Sequence, residues 1–171
     1  MSAYGLTVEA GTPLFDDPAR HPDDDDQADK YELADDLLGA AGLANYEISN
    51  WSRPGHECRH NLLYWSQGDY RGFGCAAHSH ATGRRWWNVR TPDRYIALVG
   101  AGSSTEAAGE DLDAETRRVE GLQLSLRTRD GVPAGTLDAD DLPGLVEAHG
   151  DRLVLTRTGR LVANEVSLRL R

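Results

Sequence analysis

Tyr4-Gly5-Leu6-Thr7-Val8-Glu9 is short, apolar and β-prone, and Gly11-Thr12-Pro13 closes it, so it reads as a buried strand. A loop follows through Pro18 and Pro22. From about Asp26 to Ala41, residues Ala28, Tyr31, Ala34, Leu38 and Ala41 recur at spacings of three and four. Leu33 and Leu37 widen that apolar face, and Gly42 supplies the stop of a predicted helix. Tyr46-Glu47-Ile48-Ser49-Asn50-Trp51 is again short and β-prone. A strand, a four-turn helix and a second strand predict a right-handed parallel crossover. Folds of that kind gather their ligand groups on loops after the carboxyl ends of strands, which points to residues 9–12 and 50–65. The run Asp23-Asp24-Asp25-Asp26 invites a metal. Its place just before the helix gives a plainer account, because carboxylates there cap free N–H groups and face the positive end of the dipole.

Beyond residue 100 the character of the chain changes. All four Trp, all six Tyr and both Phe lie at or before Tyr95. Gly100-Ala101-Gly102-Ser103-Ser104 reads as a linker. After it, Asp113-Ala114-Glu115 opens an amphipathic helix carrying Val119, Leu122, Leu124 and Leu126, and Asp138–Leu145 suggests a short helix. Arg152-Leu153-Val154-Leu155-Thr156 alternates like a strand, and a closing helix runs from Leu161 to Leu170. This order suggests a small winged-helix-like α+β module. The residues from Glu106 onward hold 9 basic and 13 acidic side chains, so DNA reading is disfavoured and a packing role expected.

The whole chain carries 28 acidic against 18 basic residues, a formal charge of -10, which argues against nucleic acid as a partner. No apolar run approaches the ~18 residues of a membrane span and the N-terminus has no basic-then-apolar signal, so the expected compartment is the cytoplasm. Cys58 and Cys75 are the only cysteines, too few for a disulfide scaffold or for the thiolates of an iron–sulfur cluster.

Side chains with chemistry concentrate between Arg53 and Trp87, where four of the six histidines fall. Arg59-His60-Asn61-Leu62-Leu63-Tyr64-Trp65 sets an imidazole, an amide, a phenol and an indole within seven residues. Imidazole ligates heme iron, and aromatic faces stack on a flat macrocycle. Gly72-Phe73-Gly74-Cys75-Ala76-Ala77-His78-Ser79-His80 is a small-residue loop ending in a histidine pair. Arg84-Arg85-Trp86-Trp87-Asn88 couples guanidinium to indole, and guanidinium suits carboxylates such as porphyrin propionates. Plainer readings stand beside these. His60 can be a half-buried histidine bonded to backbone, and the Trp and Tyr residues can be core aromatics. Cys58, His60, His78 and His80 can also be read as a zinc set, although no CxxC element accompanies them.

The succession Tyr4–Leu14, Tyr46–Trp51, Arg53-Pro54-Gly55, Cys58–Trp65, Gly72-Phe73-Gly74, Ala77-His78-Ser79 and Trp86-Trp87-Asn88 resembles the radical SAM family of oxygen-independent coproporphyrinogen III oxidases and their relatives. Within it the chain is most similar to the heme chaperone branch, where the pattern His60-Asn61-x-x-Tyr64-Trp65 is implicated in heme binding. The resemblance implies His60, Asn61, Tyr64, Trp65 and His78 as heme-binding residues, His60 as the iron ligand, and no catalytic residue. His56 and His80 are the competing ligands. The oxidase branch has other residues at positions 60 and 78. Leu153–Thr156 with Gly159 resembles the family's C-terminal domain.

The implied fold is α/β: the C-terminal portion of a partial TIM-like barrel over residues 1–100, then the winged-helix-like domain over 101–171. Full-length members begin with a CxxxCxxC strand that holds a [4Fe-4S] cluster and S-adenosylmethionine. Neither that motif nor the glycine-rich SAM-binding strand is present here, so the chain reads as a truncated product that catalyses nothing requiring the cluster. The implied function is heme binding for delivery to heme proteins, including respiratory enzymes at the membrane, with a homodimer as a further expectation. The alternatives are a fragment of an oxidase in heme biosynthesis and a remnant without ligand. At Cys75-Ala76 the family carries Gly in the second place.

Overall fold

The Asp23 carboxylate accepts a hydrogen bond of 3.0 Å from the backbone N–H of Asp26, so the acidic run is a helix cap, as its position implied. The computed structural model describes all 171 residues. In chain order its elements are α1 (Asp24–Ala40), β1 (Ala44–Glu47), β2 (Asn50–Ser52), α2 (Arg59–Trp65), β3 (His78–Ala81) and β4 (Arg84–Asn88). Then follow α3 (Pro92–Gly100), β5 (Glu106–Asp111), α4 (Ala114–Leu126), β6 (Val132–Pro133), β7 (Val146–His149), β8 (Arg152–Leu155), α5 (Arg157–Leu161) and α6 (Ala163–Ser167). No helix is long and apolar enough to cross a membrane.

The class is mixed α/β, as expected, but the parallel crossover does not form. Residues 3–9 have no regular structure, and Tyr4 and Leu6 are exposed. A strand needs a partner for its backbone groups. This segment finds only a bridge between Ser2 and Asn50, a bond from Ala3 N–H to the Ser49 carbonyl, and one from Leu6 N–H to Gln27 Oε1. The expected strand Tyr46–Trp51 is instead the turn of an antiparallel hairpin, with β1 paired to β2 and Glu47 opposite Asn50. Polar side chains close that turn. The buried Glu47 carboxylate accepts from Ser49 N–H and from the Asn50 amide, while Asn45 donates to the Glu47 carbonyl.

Contacts group the residues into two units, Met1–Glu57 with Arg127–Arg169, and Cys58–Leu126 with Leu170–Arg171. The stretch 100–104, expected as a linker, caps α3 through bonds from Gly102 N–H to Val99 and from Ser103 N–H to Leu98. The contact grouping changes at 57/58, 126/127 and 169/170.

In the first unit, the antiparallel sheet runs in the order β6-β8-β7. The strand expected at 152–156 is β8. The helix expected at 138–145 shrinks to one 3-10 turn, Ala139–Asp141, and the closing helix is split into α5 and α6. The core holds Tyr46, Trp51, Val132, Leu153, Val154 and Val166. Helix α1 turns Tyr31 and Ala34 inward but leaves Leu33 and Leu37 exposed. Asp35 on α1 accepts from Trp51 Nε1 at 2.6 Å and from Arg160 Nη2 at 2.7 Å, and Arg157 pairs with Asp36 at 2.8 Å. The Tyr31 hydroxyl donates to the Ile48 carbonyl at 2.9 Å. Burial pushes its pKa up to about 12 from the ordinary 10.0.

In the second unit the sheet order is β3-β4-β5, all antiparallel. His78, His80, Arg85 and Trp87 share one face, and Ser79, Arg84 and Trp86 the other, because successive strand residues alternate. The guanidinium carbons of Arg71 and Arg84 lie over the Trp86 ring, 5.6 and 5.2 Å from its centroid.

Two outcomes follow for the first unit. The Asp35 and Arg160 side chains are 18% and 14% exposed, so Arg160→Ala takes the 2.7 Å cationic partner from a largely buried carboxylate and leaves it Trp51 Nε1 and the more distant Arg157 at 3.7 Å. It should lower unfolding free energy by about 2–3 kcal/mol in a urea titration. Tyr31 holds its proton more tightly folded than unfolded. Its contribution is therefore complete below pH 10 and lost as pH rises toward 12. Stability measured between pH 9 and 12 should fall less steeply in Tyr31→Phe.

Candidate functional site

Helix α2 is short and sharply bounded. Cys58 occupies its N-cap in extended conformation and supplies the carbonyl for Leu62 N–H. At the other end Gln67 takes a left-handed φ of 53°, while Gln67 N–H bonds to Tyr64 and Gly68 N–H to Leu63, the paired pattern of a Schellman stop. Residues 59–65, expected on a loop, are therefore a helix, and i,i+4 spacing pairs His60 with Tyr64 and Asn61 with Trp65.

His60 is exposed and Tyr64 partly so, at 39%. The Tyr64 hydroxyl and His60 Nε2 share a hydrogen bond of 3.3 Å, with the rings edge to face at 4.8 Å. Tyr64 in turn meets the Tyr70 ring at 4.4 Å, and Tyr70 lies 6.2 Å from His80. Four rings thus run from exposed His60 to buried His80. Burial raises the Tyr70 pKa and keeps its phenol neutral. Trp65 buries its indole Nε1 without a hydrogen-bond partner, and Asn61 is half-buried. His78 is exposed at the start of β3, where its ring packs on Trp87 at 5.5 Å. Of the five expected residues, the fold brings His60 into direct contact with Tyr64, while the ring contact of His78 is made on the sheet.

Sequence reading passed over Tyr70 and the partners of His80. His80 is 7% exposed, and its Nδ1–H donates to the Gly68 carbonyl at 3.1 Å. That bond orients the ring, because a carbonyl oxygen can only accept. Tyr64, Tyr70, Leu112 and Leu124 wall a cavity of about 190 Å³ at which His80 also lies. The signal in the sequence was the second histidine of the pair, on the same strand face as His78. No group of three or more His, Cys, Asp or Glu side chains is placed to hold a metal ion, so the four residues of the zinc reading form no such set. Cys58 and Cys75 are both free.

The 72–80 loop is pinned from two sides. Gly72 N–H donates to Ser79 Oγ at 2.9 Å, and the Asn88 amide donates to the Gly74 carbonyl at 2.9 Å. A Cβ on Gly72 would stand 2.1 Å from the His78 carbonyl oxygen, so only glycine fits. Ala76 adopts φ 58°, the left-handed region that explains the glycine the family resemblance implies there.

These elements have counterparts in known proteins. No family model matches the chain. Against a Mycobacterium tuberculosis protein named heme chaperone HemW, the chain is 44% identical over 178 residues, which covers 97% of this chain and 46% of that protein. The chain is homologous to the HemW heme chaperones. HemW of Bacillus subtilis is 31% identical over 185 residues, 96% of this chain and 49% of its own length. Escherichia coli HemW is 46% identical over 82 residues, 48% of this chain. The chain thus spans about half the length of the first two HemW relatives. Among solved structures, coproporphyrinogen III oxidase (HemN) from Escherichia coli, described as a radical SAM enzyme, shares the fold with a TM-score of 0.66 over 88% of this chain and 42% of that one, at 16% identity.

Ala76→Gly tests the loop geometry. Relief of a left-handed alanine, worth about 1–2 kcal/mol, outweighs the added freedom of the unfolded glycine, about 0.4–1 kcal/mol. The variant should be more stable by about 0.5–1 kcal/mol in thermal unfolding followed by circular dichroism.

Proposed function

We propose that this chain binds heme and passes it to heme proteins, with His60 as the ligand to iron. The observation that carries this reading is the exposed His60 on α2, paired with Tyr64. Support comes from HemW relatives that match 96–97% of the chain and carry the name heme chaperone. Imidazole nitrogen is a preferred heme-iron donor, and an exposed one is reached without unfolding the helix. Tyr64 offers a ring to the macrocycle, while Trp65 buries its indole and anchors α2. Asn61 and His78 serve as secondary contacts. The acceptors are heme proteins, including respiratory enzymes at the membrane, and the compartment is the cytoplasm. A [4Fe-4S] cluster held by three thiolates does not fit a chain with two cysteines, so no radical step is assigned to these residues.

Heme titration followed at the Soret band tests the assignment. His60→Ala should weaken binding at least tenfold and shift the band. His78→Ala should act less, and His56→Ala and His80→Ala should leave the band in place. Unchanged affinity and band position in His60→Ala would overturn the ligand assignment. Ligation at Nε2 must break the bond to Tyr64, so Tyr64→Phe, which keeps the ring and removes the hydroxyl, should bind heme a few-fold more tightly.

A further inference from the structure

Tyr64 belongs both to the exposed pair with His60 and to the wall of the inner cavity, so a planar ligand held at His60 borders that cavity. A void of ~150 Å³ takes a benzene ring, so about 190 Å³ admits one substituted ring of a tetrapyrrole and not the whole macrocycle. Its walls are the rings of Tyr64 and Tyr70 and the side chains of Leu112 and Leu124. Gln67, His80, Arg85 and Glu120 supply the rest of its lining, and their charges make a poor host for an anion. Arg85 is the one cation lining it, and it is already bonded to Glu110 at 2.6 Å and to Glu120 at 2.9 Å. One guanidinium against two carboxylates leaves a net negative cluster. Asp69, outside the lining, places a further carboxylate 3.8 Å from His80 Nδ1.

From this chemistry we infer that the cavity seats the vinyl-and-methyl edge of heme and turns the propionates toward solvent. The inference rests on the heme-binding reading above and adds the orientation and selectivity of that site. Two neighbouring rings of heme carry only methyl and vinyl groups. In an iron coproporphyrin every ring carries a propionate, so each edge would press a carboxylate against Glu120, which lines the cavity, with Glu110 held behind it on Arg85. The site thereby selects the finished porphyrin and rejects its tetracarboxylate precursor class.

The test titrates the unmodified chain with ferric heme, with ferric mesoheme, whose ethyl groups replace the vinyls, and with ferric coproheme. Mesoheme should bind within a few-fold of heme, and coproheme at least tenfold more weakly. Glu120→Gln removes one carboxylate and should recover several-fold of the coproheme affinity while changing heme little. Leu124→Trp, which fills the cavity, should weaken heme at least tenfold. Equal affinities for heme and coproheme in the unmodified chain would overturn the inference, and this arm needs no variant to fold. Heme binding lost in His60→Ala but without discrimination among the porphyrins would overturn the orientation alone. Absence of heme binding to the unmodified chain would remove both readings.

Discussion

Asp35 holds the first unit together. Its carboxylate lies between an indole N–H from the hairpin and a guanidinium from α5, so one side chain fixes three elements that are distant in sequence. Trp51 is 1% exposed, and its buried N–H requires an acceptor. Arg160 brings the countercharge that makes burial of that acceptor tolerable, and its guanidinium also lies over the Tyr31 ring at 5.7 Å. Given this tie, α1 presents Tyr31 to the hairpin, and Leu33 and Leu37 are left exposed.

The second unit depends on sheet alternation instead. Because β4 is the middle strand, Arg85 faces the same side as His80 while Arg84 and Trp86 face the other. One arginine is thereby committed to Glu110 and Glu120 beside the cavity. Its neighbour pairs with Glu106 and stacks on Trp86. The hydrogen bond to Glu110, then that to Glu120, raises the Arg85 pKa further above its ordinary value. This face therefore keeps a fixed charge pattern, acidic around one neutralised cation, beneath the aromatic residues that reach out to His60.

Much of the local structure was legible because its causes are local. Asp23 caps α1 through a carboxylate three residues from the N–H it serves. Helix α4 follows its apolar spacing, and β8 its alternation. The site motif was legible too, since His60 and Tyr64 are four residues apart, and a helix turns that spacing into contact. The strand at Tyr4–Glu9 was misread because β-propensity describes fitness for a pleated surface and supplies no partner. The single strand at Tyr46–Trp51 was misread because its turn contains no glycine. The Glu47 carboxylate does that work, by bonding to the two residues that follow Ile48.

By itself the sequence determined the helix caps, the mixed class, the aromatic-rich first part and the His60-to-Trp65 pattern, all set by residues within about one helical turn of one another. Only the tertiary structure decided which strands pair and which residues gather around His80. Pairing is a choice among edges remote in sequence, and β5 reaches β4 although Asn88 and Thr105, joined by a 2.9 Å bond, lie 17 positions apart. The cavity is likewise a product of distance: Tyr64, His80 and Leu124 come from α2, β3 and α4. No spacing within any one segment encodes where three such side chains meet.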